Sequence, residues 1–285
     1  MSVTDTPRYA PGWLTLREPA DAAARATAPL GPLRDLLARR RRKLPPKTPL
    51  TVRDLGCGTG SMARWLAPRL PGPQHWILQD HDPRLLALAT GSLPPAAADG
   101  APVTAATACA DLTRLTAADL AGTDLLTASA LLDMLTPGEI DALAAACVAA
   151  GCPALLTLSV TGRPAFTSYD PLDADLTAAF NDHQRRTTAG RRLLGPDAAA
   201  TARAAFARRG ASVTTYAADW QLGAGQRELT AAWLRGWVGA AVEQRPELAG
   251  AAAGYLRGRE AELAAGTLGV TLGHDDLLVL PAGAS

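Results

Sequence analysis

The stretch Val52-Arg53-Asp54-Leu55-Gly56-Cys57-Gly58-Thr59-Gly60-Ser61 constrains the fold more than any other part of this 285-residue chain. Leu50–Leu55 before it reads as a buried strand, and Ser61–Leu70 after it reads as a helix. Three glycines therefore fill the whole strand-to-helix turn. Glycine lets the backbone turn sharply and puts no Cβ between it and a ligand. A sheet that begins this way binds its ligands at the carboxyl ends of its strands.

The alternation continues down the chain. His75–Gln79 reads as a strand, Pro83–Thr90 as a helix, Val103–Ala110 and Asp124–Ser129 as the third and fourth strands. Thr136-Pro137-Gly138-Glu139 is a capping box with proline at the first helical position, which predicts a helix through Ala150. Gly151 ends it, and Ala154–Val160 makes a fifth strand. Strand–helix repeats at this spacing imply right-handed crossovers and a doubly wound parallel sheet. Thr161–Leu194 is polar and weakly periodic, so it reads as an insertion. A helix then runs from Gly195 to Gly210, Ser212–Ala217 is a sixth strand, and Gln226–Leu263 is helical with a break near Pro246. Asp276–Leu280 is the final strand. At the other end, residues 1–45 look helical and Leu44–Pro49 serves as a linker. The organisation expected is a helical lid over 1–45 and one large α/β domain over 46–285.

Composition narrows the function. Hydrophobic residues make up 48% and charged residues 19%, ordinary for a globular protein, although 61 residues are alanine and bury little area. Lys+Arg of 28 against Asp+Glu of 27 gives net +1, which rules out a protein that coats nucleic acid by bulk charge. Arg39-Arg40-Arg41-Arg42-Lys43 is the one cationic run, and it suits a solvated helix C-terminus. Cys57, Cys109, Cys147 and Cys152 show no metal-ligand spacing with His75, His81, His183 or His274, so no metal is expected. Scattered buried thiols fit a reducing cytosol. No charged-then-apolar leader and no run near the ~18 apolar residues of a membrane span are visible, so the expected location is cytoplasmic, away from membranes.

The loop spacing is G-x-G-x-G, whereas a dinucleotide fingerprint needs G-x-G-x-x-G, whose third glycine would fall at Ser61. Asp80 ends the second strand, about 20 residues beyond the loop, where a carboxylate accepts both hydroxyls of a ribose. Asp111 follows the third strand at the same edge. With these three features in order, D-x-G-C-G-T-G, D-x-D-P and A-D-L, the chain resembles the class I S-adenosylmethionine-dependent methyltransferases over Leu50–Leu135. The resemblance implies a Rossmann-like seven-stranded sheet with its last strand antiparallel. It implies S-adenosylmethionine as cofactor and S-adenosylhomocysteine as product. Gly56, Gly58 and Gly60 would frame its amino-acid portion, with Asp54 beside the ammonium group. Asp80 would hold the ribose, Asp111 the adenine amino group with Leu112 against the ring, and Ser129 would face the methionine moiety.

Less specifically, the segments Trp13–Asp21 and Phe180–Arg186 resemble the flanks of bacterial small-molecule methyltransferases, so they are expected to close the acceptor pocket. Trp13, Arg17 and His183 are the substrate-side candidates, and His183 is the candidate general base. A solvated loop histidine is the plainer reading of His183. His274 reads as a turn residue, and Asp133 as a cap before a helix. Arg17, Asp21 and Arg25 recur at i, i+4 and i+8, enough for a surface ion-pair ladder, with a carboxylate-binding Arg17 as the sharper reading. Trp233 and Trp237 share a helix face that suits core packing or a second subunit, which leaves a homodimer open. The absence of an N-P-P-Y type sequence between Asp124 and Thr136 argues against methylation of base nitrogens. The expectation is methyl transfer to a small organic acceptor. The alternatives are a non-catalytic S-adenosylmethionine-binding protein, a nicotinamide-dependent oxidoreductase and an RNA methyltransferase.

Overall fold

The computed structural model describes residues 10–43, 45 and 47–282. Residues 1–9 of the expected lid, and Leu44 and Pro46 of the expected linker, lie outside the described residues. The chain opens with α1 (Pro11–Ala24) and α2 (Leu30–Arg41). It then alternates β1 (Leu50–Leu55), α3 (Ser61–Leu66), β2 (Gln74–Asp80), α4 (Pro83–Gly91), β3 (Val103–Cys109), β4 (Leu125–Ser129), α5 (Pro137–Ala149) and β5 (Ala154–Phe166). Next come α6 (Asp173–Gln184), a small hairpin of β6 (Thr187–Thr188) and β7 (Arg191–Arg192), and α7 (Ala198–Ala207). The last elements are β8 (Ser212–Ala217), β9 (Trp220–Leu222), α8 (Arg227–Gln244), α9 (Ala249–Ala265) and β10 (Val270–Leu280).

Seven strands lie in the order β3-β2-β1-β4-β5-β10-β8, and β9 adds an eighth beside β10. β3, β2, β1, β4 and β5 are mutually parallel, and β10 runs antiparallel to β5 and β8. The Rossmann-like sheet with its last strand antiparallel is therefore present, with β9 as an addition. The period of two along a strand sends Leu125 and Leu126 of β4 to opposite cores. One core joins the sheet to α5 and α7 through Ile140, Leu143 and Phe206. The other joins it to α2 and α3 through Leu33, Leu37, Trp65 and Leu66. Each fully buried leucine contributes about 1.5–3 kcal/mol. α2 is thus a core helix, and of the expected lid only α1 borders the cleft described below.

Thr136 caps α5 as predicted: its Oγ1 accepts from the Glu139 N–H at 3.2 Å, and the Glu139 carboxylate accepts from the Thr136 N–H at 2.8 Å. Asp133 is not that cap; it sits one turn earlier, in the 3-10 turn Leu132–Met134.

The insertion differs from its expected form. Thr161–Phe166 is not separate from the sheet but prolongs β5, pairing with Val270–Leu272 of β10. Gly162 and Pro164 read locally as strand breakers, and the antiparallel partner a hundred residues later overrides them. β10 is correspondingly longer than Asp276–Leu280, and His274 is not a turn residue. It is buried inside β10, its ring 5.5 Å from that of Trp220. Against this extension pack α6, α8 and α9. Trp233 and Trp237 stack at 5.3 Å between Phe166 and Tyr255, which is core packing. Arg259, buried there over the Phe166 ring, ties α9 to α6 by two hydrogen bonds to Asp173, at 2.7 and 2.9 Å.

Candidate functional site

The carboxyl ends of β1, β2 and β4 face α1 across a cleft of about 480 Å³, a size ordinary for a small-molecule site. Its first wall is the glycine loop. Gly56 and Gly58 adopt φ of +59° and +55°, the left-handed region. A Cβ on Gly56 would stand 2.9 Å from Leu131 Cδ1, and one on Gly58 would stand 3.4 Å from Leu14 Cδ1 on α1. Gly56 lacks room for a Cβ, and at both positions the left-handed backbone disfavours any other residue. Gly60 does not line the cleft: it precedes α3 and faces Ala89 of α4 at 3.2 Å, so it serves helix packing.

Asp80, Asp82 and Asp111 stand along the cleft after β2 and β3. Asp80 is buried, with Oδ2 accepting from the Gly58 N–H and Oδ1 from the Asp82 N–H, both at 2.9 Å, so it braces the loop. Asp82 caps α4, accepting from the Arg84 N–H at 2.9 Å. Asp111 accepts from the Thr113 N–H at 2.9 Å and its hydroxyl at 2.7 Å. Partial burial works against ionisation there, but those bonds outweigh it and hold the carboxyl below its usual range. Leu112 lines the cleft beside it.

Asp54 is 1% exposed at the floor. Its Oδ1 accepts from Thr127 Oγ1 at 2.7 Å, and its Oδ2 has no partner. Burial pushes this carboxyl up to about 7, against the Thr127 bond and the nearby Arg25 charge. Arg25 is 3% exposed, and its Nη2 donates to Ser61 Oγ at 3.0 Å and Ser129 Oγ at 3.1 Å. Its Nε and Nη1 have no partner. Asp276, fully buried in β10, fixes the chain next to it, accepting from the Ala26 N–H at 2.9 Å and the Leu158 N–H at 2.7 Å.

Arg17, Asp21 and Leu14 of α1 form the far wall. The Arg17 guanidinium grips Asp21 in a fork of 2.9 and 3.1 Å and lies over the Trp220 ring at 5.0 Å. Trp220 Nε1 in turn donates to Asp21 at 3.0 Å. The spacing Arg17, Asp21, Arg25 is therefore no surface ladder: Asp21 and Arg25 are buried, and Arg25 turns to the serines.

Two substrate-side candidates lie elsewhere. Trp13 packs with Trp220 and Leu229 in the core, one residue from Leu14, which does reach the cleft. His183 lies outside the cleft on α6, with Nε2 3.4 Å from Glu243 on α8 and Nδ1 3.2 Å from Arg186. Burial and Arg186 lower its pKa, with Glu243 opposing. Arg17 and His183 do not share one cavity. The insertion reaches the site instead through Arg191 of β7, which pairs with Glu139 at 2.6 Å and lines the cleft with Asp111. Sequence reasoning missed Arg25, Asp21 and Arg191 as cleft residues. The only signal for the first two was the i, i+4, i+8 spacing, and the only one for Arg191 was its place in a tight turn.

Residues 52–151, which hold the loop and Asp54, Asp80, Asp82 and Asp111, match the methyltransferase domain family. No curated protein matches the sequence. Among solved structures, the chain is similar to an S-adenosylmethionine-dependent methyltransferase from Geobacter sulfurreducens in complex with S-adenosyl-L-homocysteine. Identity is 18% over 98% of this chain and 100% of that one, with a TM-score of 0.44. A cyclopropane synthase from Mycobacterium tuberculosis shares 14% identity over 87% and 83%, with a TM-score of 0.43. The magnesium protoporphyrin IX methyltransferase of Synechocystis PCC 6803, with bound S-adenosylhomocysteine, shares 18% over 66% and 76%, at 0.39. The matched segment, residues 52–151, runs from β1 to the end of α5 within the Rossmann-like sheet.

Proposed function

We propose that the protein transfers the methyl group of S-adenosylmethionine to a small organic acceptor by in-line displacement. The observation that carries this reading is the row of Asp54, Asp80 and Asp111 along one cleft, beside a loop that a Cβ would obstruct. The unpartnered Oδ2 of Asp54 takes the cofactor's ammonium group, and Asp80 takes the ribose hydroxyls. Asp111 and Leu112 hold the adenine, and Gly56 and Gly58 let the backbone approach the amino-acid portion. When bound, the cofactor supplies a methyl carbon already activated by its sulfonium charge. The chain's own task is then to place the acceptor in line and to exclude water.

The acceptor end is the α1 side, where Leu14, Leu131 and Met134 give an apolar wall and Arg17–Asp21 a polar one. α1 acts as the lid, and the remainder, α2 included, forms the methyltransferase domain. An RNA acceptor loses its support from Arg40 and Arg41. They bond the carbonyls of Gly151 and Pro71, before β5 and β2, at the opposite edge of the sheet. Among the described residues no helix is long and apolar enough to cross a membrane. The unpaired cysteines suit a reducing cytosol.

The test is methyl transfer from labelled S-adenosylmethionine to a panel of small phenols, carboxylic acids and amines, with total RNA as a further acceptor. Calorimetry with S-adenosylhomocysteine and NADH runs beside it. Labelling of a small acceptor and binding of S-adenosylhomocysteine alone are expected. Labelling of RNA, or binding of NADH instead, overturns the proposal, and cofactor binding without any turnover favours a non-catalytic binder.

A further inference from the structure

We propose that Asp133 takes the acceptor's proton, and that the acceptor carries this proton on a phenolic or enolic hydroxyl. The proposal rests on the methyltransferase reading above and adds to it a proton acceptor and a substrate class.

Asp133 lies in the 3-10 turn Leu132–Met134, shortly after β4. Leu131 and Met134, on either side of it in the chain, line the cleft at its acceptor end. The carboxyl is half-buried, and among the described residues no other residue donates a hydrogen bond to it. Two cations act on it from different elements, Arg17 of α1 and Arg186 after α6. Neither pairs with it. Arg17 spends its fork on Asp21, and Arg186 Nη1 donates to the His183 carbonyl at 3.0 Å. The turn also packs on β5, α7 and Gly195–Asp197. The charged groups of those segments are engaged elsewhere: Asp197 is held by Arg185, and Arg163 and Arg203 act on Asp275. Asp133 is thus an unclaimed carboxyl where the apolar wall of the cleft meets Arg17 and the insertion.

Desolvation by the surrounding chain pushes this carboxyl up to about 6, against its own N–H and both arginines. Above that pH it is an anion without a donor, and its basicity suits proton transfer near neutrality. In the transfer the acceptor's oxygen bonds to the methyl carbon as the carbon–sulfur bond breaks, and that electron pair stays on sulfur. The hydroxyl proton passes to Asp133 and then to water, which restores the carboxylate.

The same surroundings select the acceptor. A carboxylic acid is already ionised near neutral pH and would bring a like charge to Asp133. An amine is a cation there and would meet Arg17 and Arg186. An alkyl alcohol is too weak an acid for a carboxylate to deprotonate. A phenol or enol arrives neutral, is acidic enough to yield its proton, and lays a flat π-system on Leu14, Leu131 and Met134.

The test measures methyl transfer from S-adenosylmethionine to phenols of graded acidity, from 4-methylphenol to 4-nitrophenol, with benzoic acid and benzylamine beside them. Wild type should label the phenols alone, and turnover of 4-methylphenol should fall as the pH drops through about 6. Asp133→Asn should cut that turnover at least about 100-fold and leave S-adenosylhomocysteine affinity within about threefold. At pH 8, where 4-nitrophenol is ionised without help, the same variant should come within about tenfold of wild type. Equal losses across the series would make Asp133 a structural residue and overturn the proposal. Preferred labelling of benzoic acid or benzylamine, or labelling of no acceptor, overturns the substrate class. If Asp133→Asn does not fold, the wild-type profile decides, and a 4-methylphenol rate that stays flat from pH 5 to pH 8 overturns the proposal. A wild-type protein that does not bind S-adenosylhomocysteine refutes the methyltransferase reading itself.

Discussion

Replacing Asp54 with asparagine should change how stability depends on pH. The carboxyl is buried, and its pKa stands at about 7 against an ordinary 3.8. The folded protein therefore holds a proton there that the unfolded chain gives up once the pH exceeds about 4. The stabilising effect of that proton is full below 3.8 and is lost as the pH rises to 7. Between those limits the loss is roughly 1.4 kcal/mol per pH unit, or about 3 kcal/mol from pH 5 to pH 7. Asparagine has the same shape, can still accept from Thr127, and does not titrate. Urea denaturation of both proteins at pH 5, 6, 7 and 8 should show Asp54→Asn gaining on wild type by that slope up to pH 7, then running parallel. Asp276 also sits at about 6 through burial, so only the difference between the two proteins isolates Asp54. A cofactor ammonium on Asp54 would favour its charged form. S-adenosylhomocysteine should accordingly bind wild type more weakly at pH 5 than at pH 7.5, and Asp54→Asn should lose that dependence. Parallel stability curves from pH 5 to 7 would show that Asp54 is not held neutral by burial, and the reasoning would fail.

Asp80→Ala should lower S-adenosylhomocysteine affinity at least tenfold, whereas Asp82→Ala should cost about 1 kcal/mol of stability as a lost cap and leave affinity within about threefold. Calorimetry and thermal melts separate the two, and a larger affinity loss at Asp82 would refute the assignment. Gly58→Val should abolish cofactor binding, since its Cβ enters the space beside Leu14, and the left-handed backbone should add about 1–2 kcal/mol of destabilisation. Retained affinity would sink that reading. Arg17→Ala should reduce turnover with cofactor affinity within about threefold, and His183→Ala, outside the cleft, should leave turnover unchanged. A loss of turnover in His183→Ala would return that residue to the mechanism.

What could be read from the chain was local. A glycine loop between strand and helix, and carboxylates at strand ends, are patterns within a few residues, and they marked Gly56, Gly58, Asp80 and Asp111 as candidates, with Asp54 following from the family resemblance. Thr136–Glu139 was legible for the same reason. Arg25 was not, because its burial comes from Ser61 and Ser129, 36 and 104 residues away. His183 misled because the polar insertion suggested a loop over the pocket, while α6 spends that residue on α8. β9 is three residues long, below what periodicity can detect, and the second half of β5 contains glycine and proline that only the pairing with β10 overrides.

Asp276 joins the two ends of this architecture. It holds the N–H of Ala26, 250 positions earlier, next to the arginine at the cleft floor. On the ribosome, α1 emerges well before the strand that anchors it. Until β10 threads between β5 and β8, the first helix has neither its anchor nor the Trp220 surface it rests on, so the glycine loop stands open. Closing a loop of that span is among the slowest kinds of contact in folding. Closure of the cleft wall by α1 therefore waits on the pairing of β10 with its two neighbours. For the same reason, the segment 52–151 cut out as a minimal unit would carry the glycine loop and its carboxylates but neither Arg25 nor the strand that holds it in place.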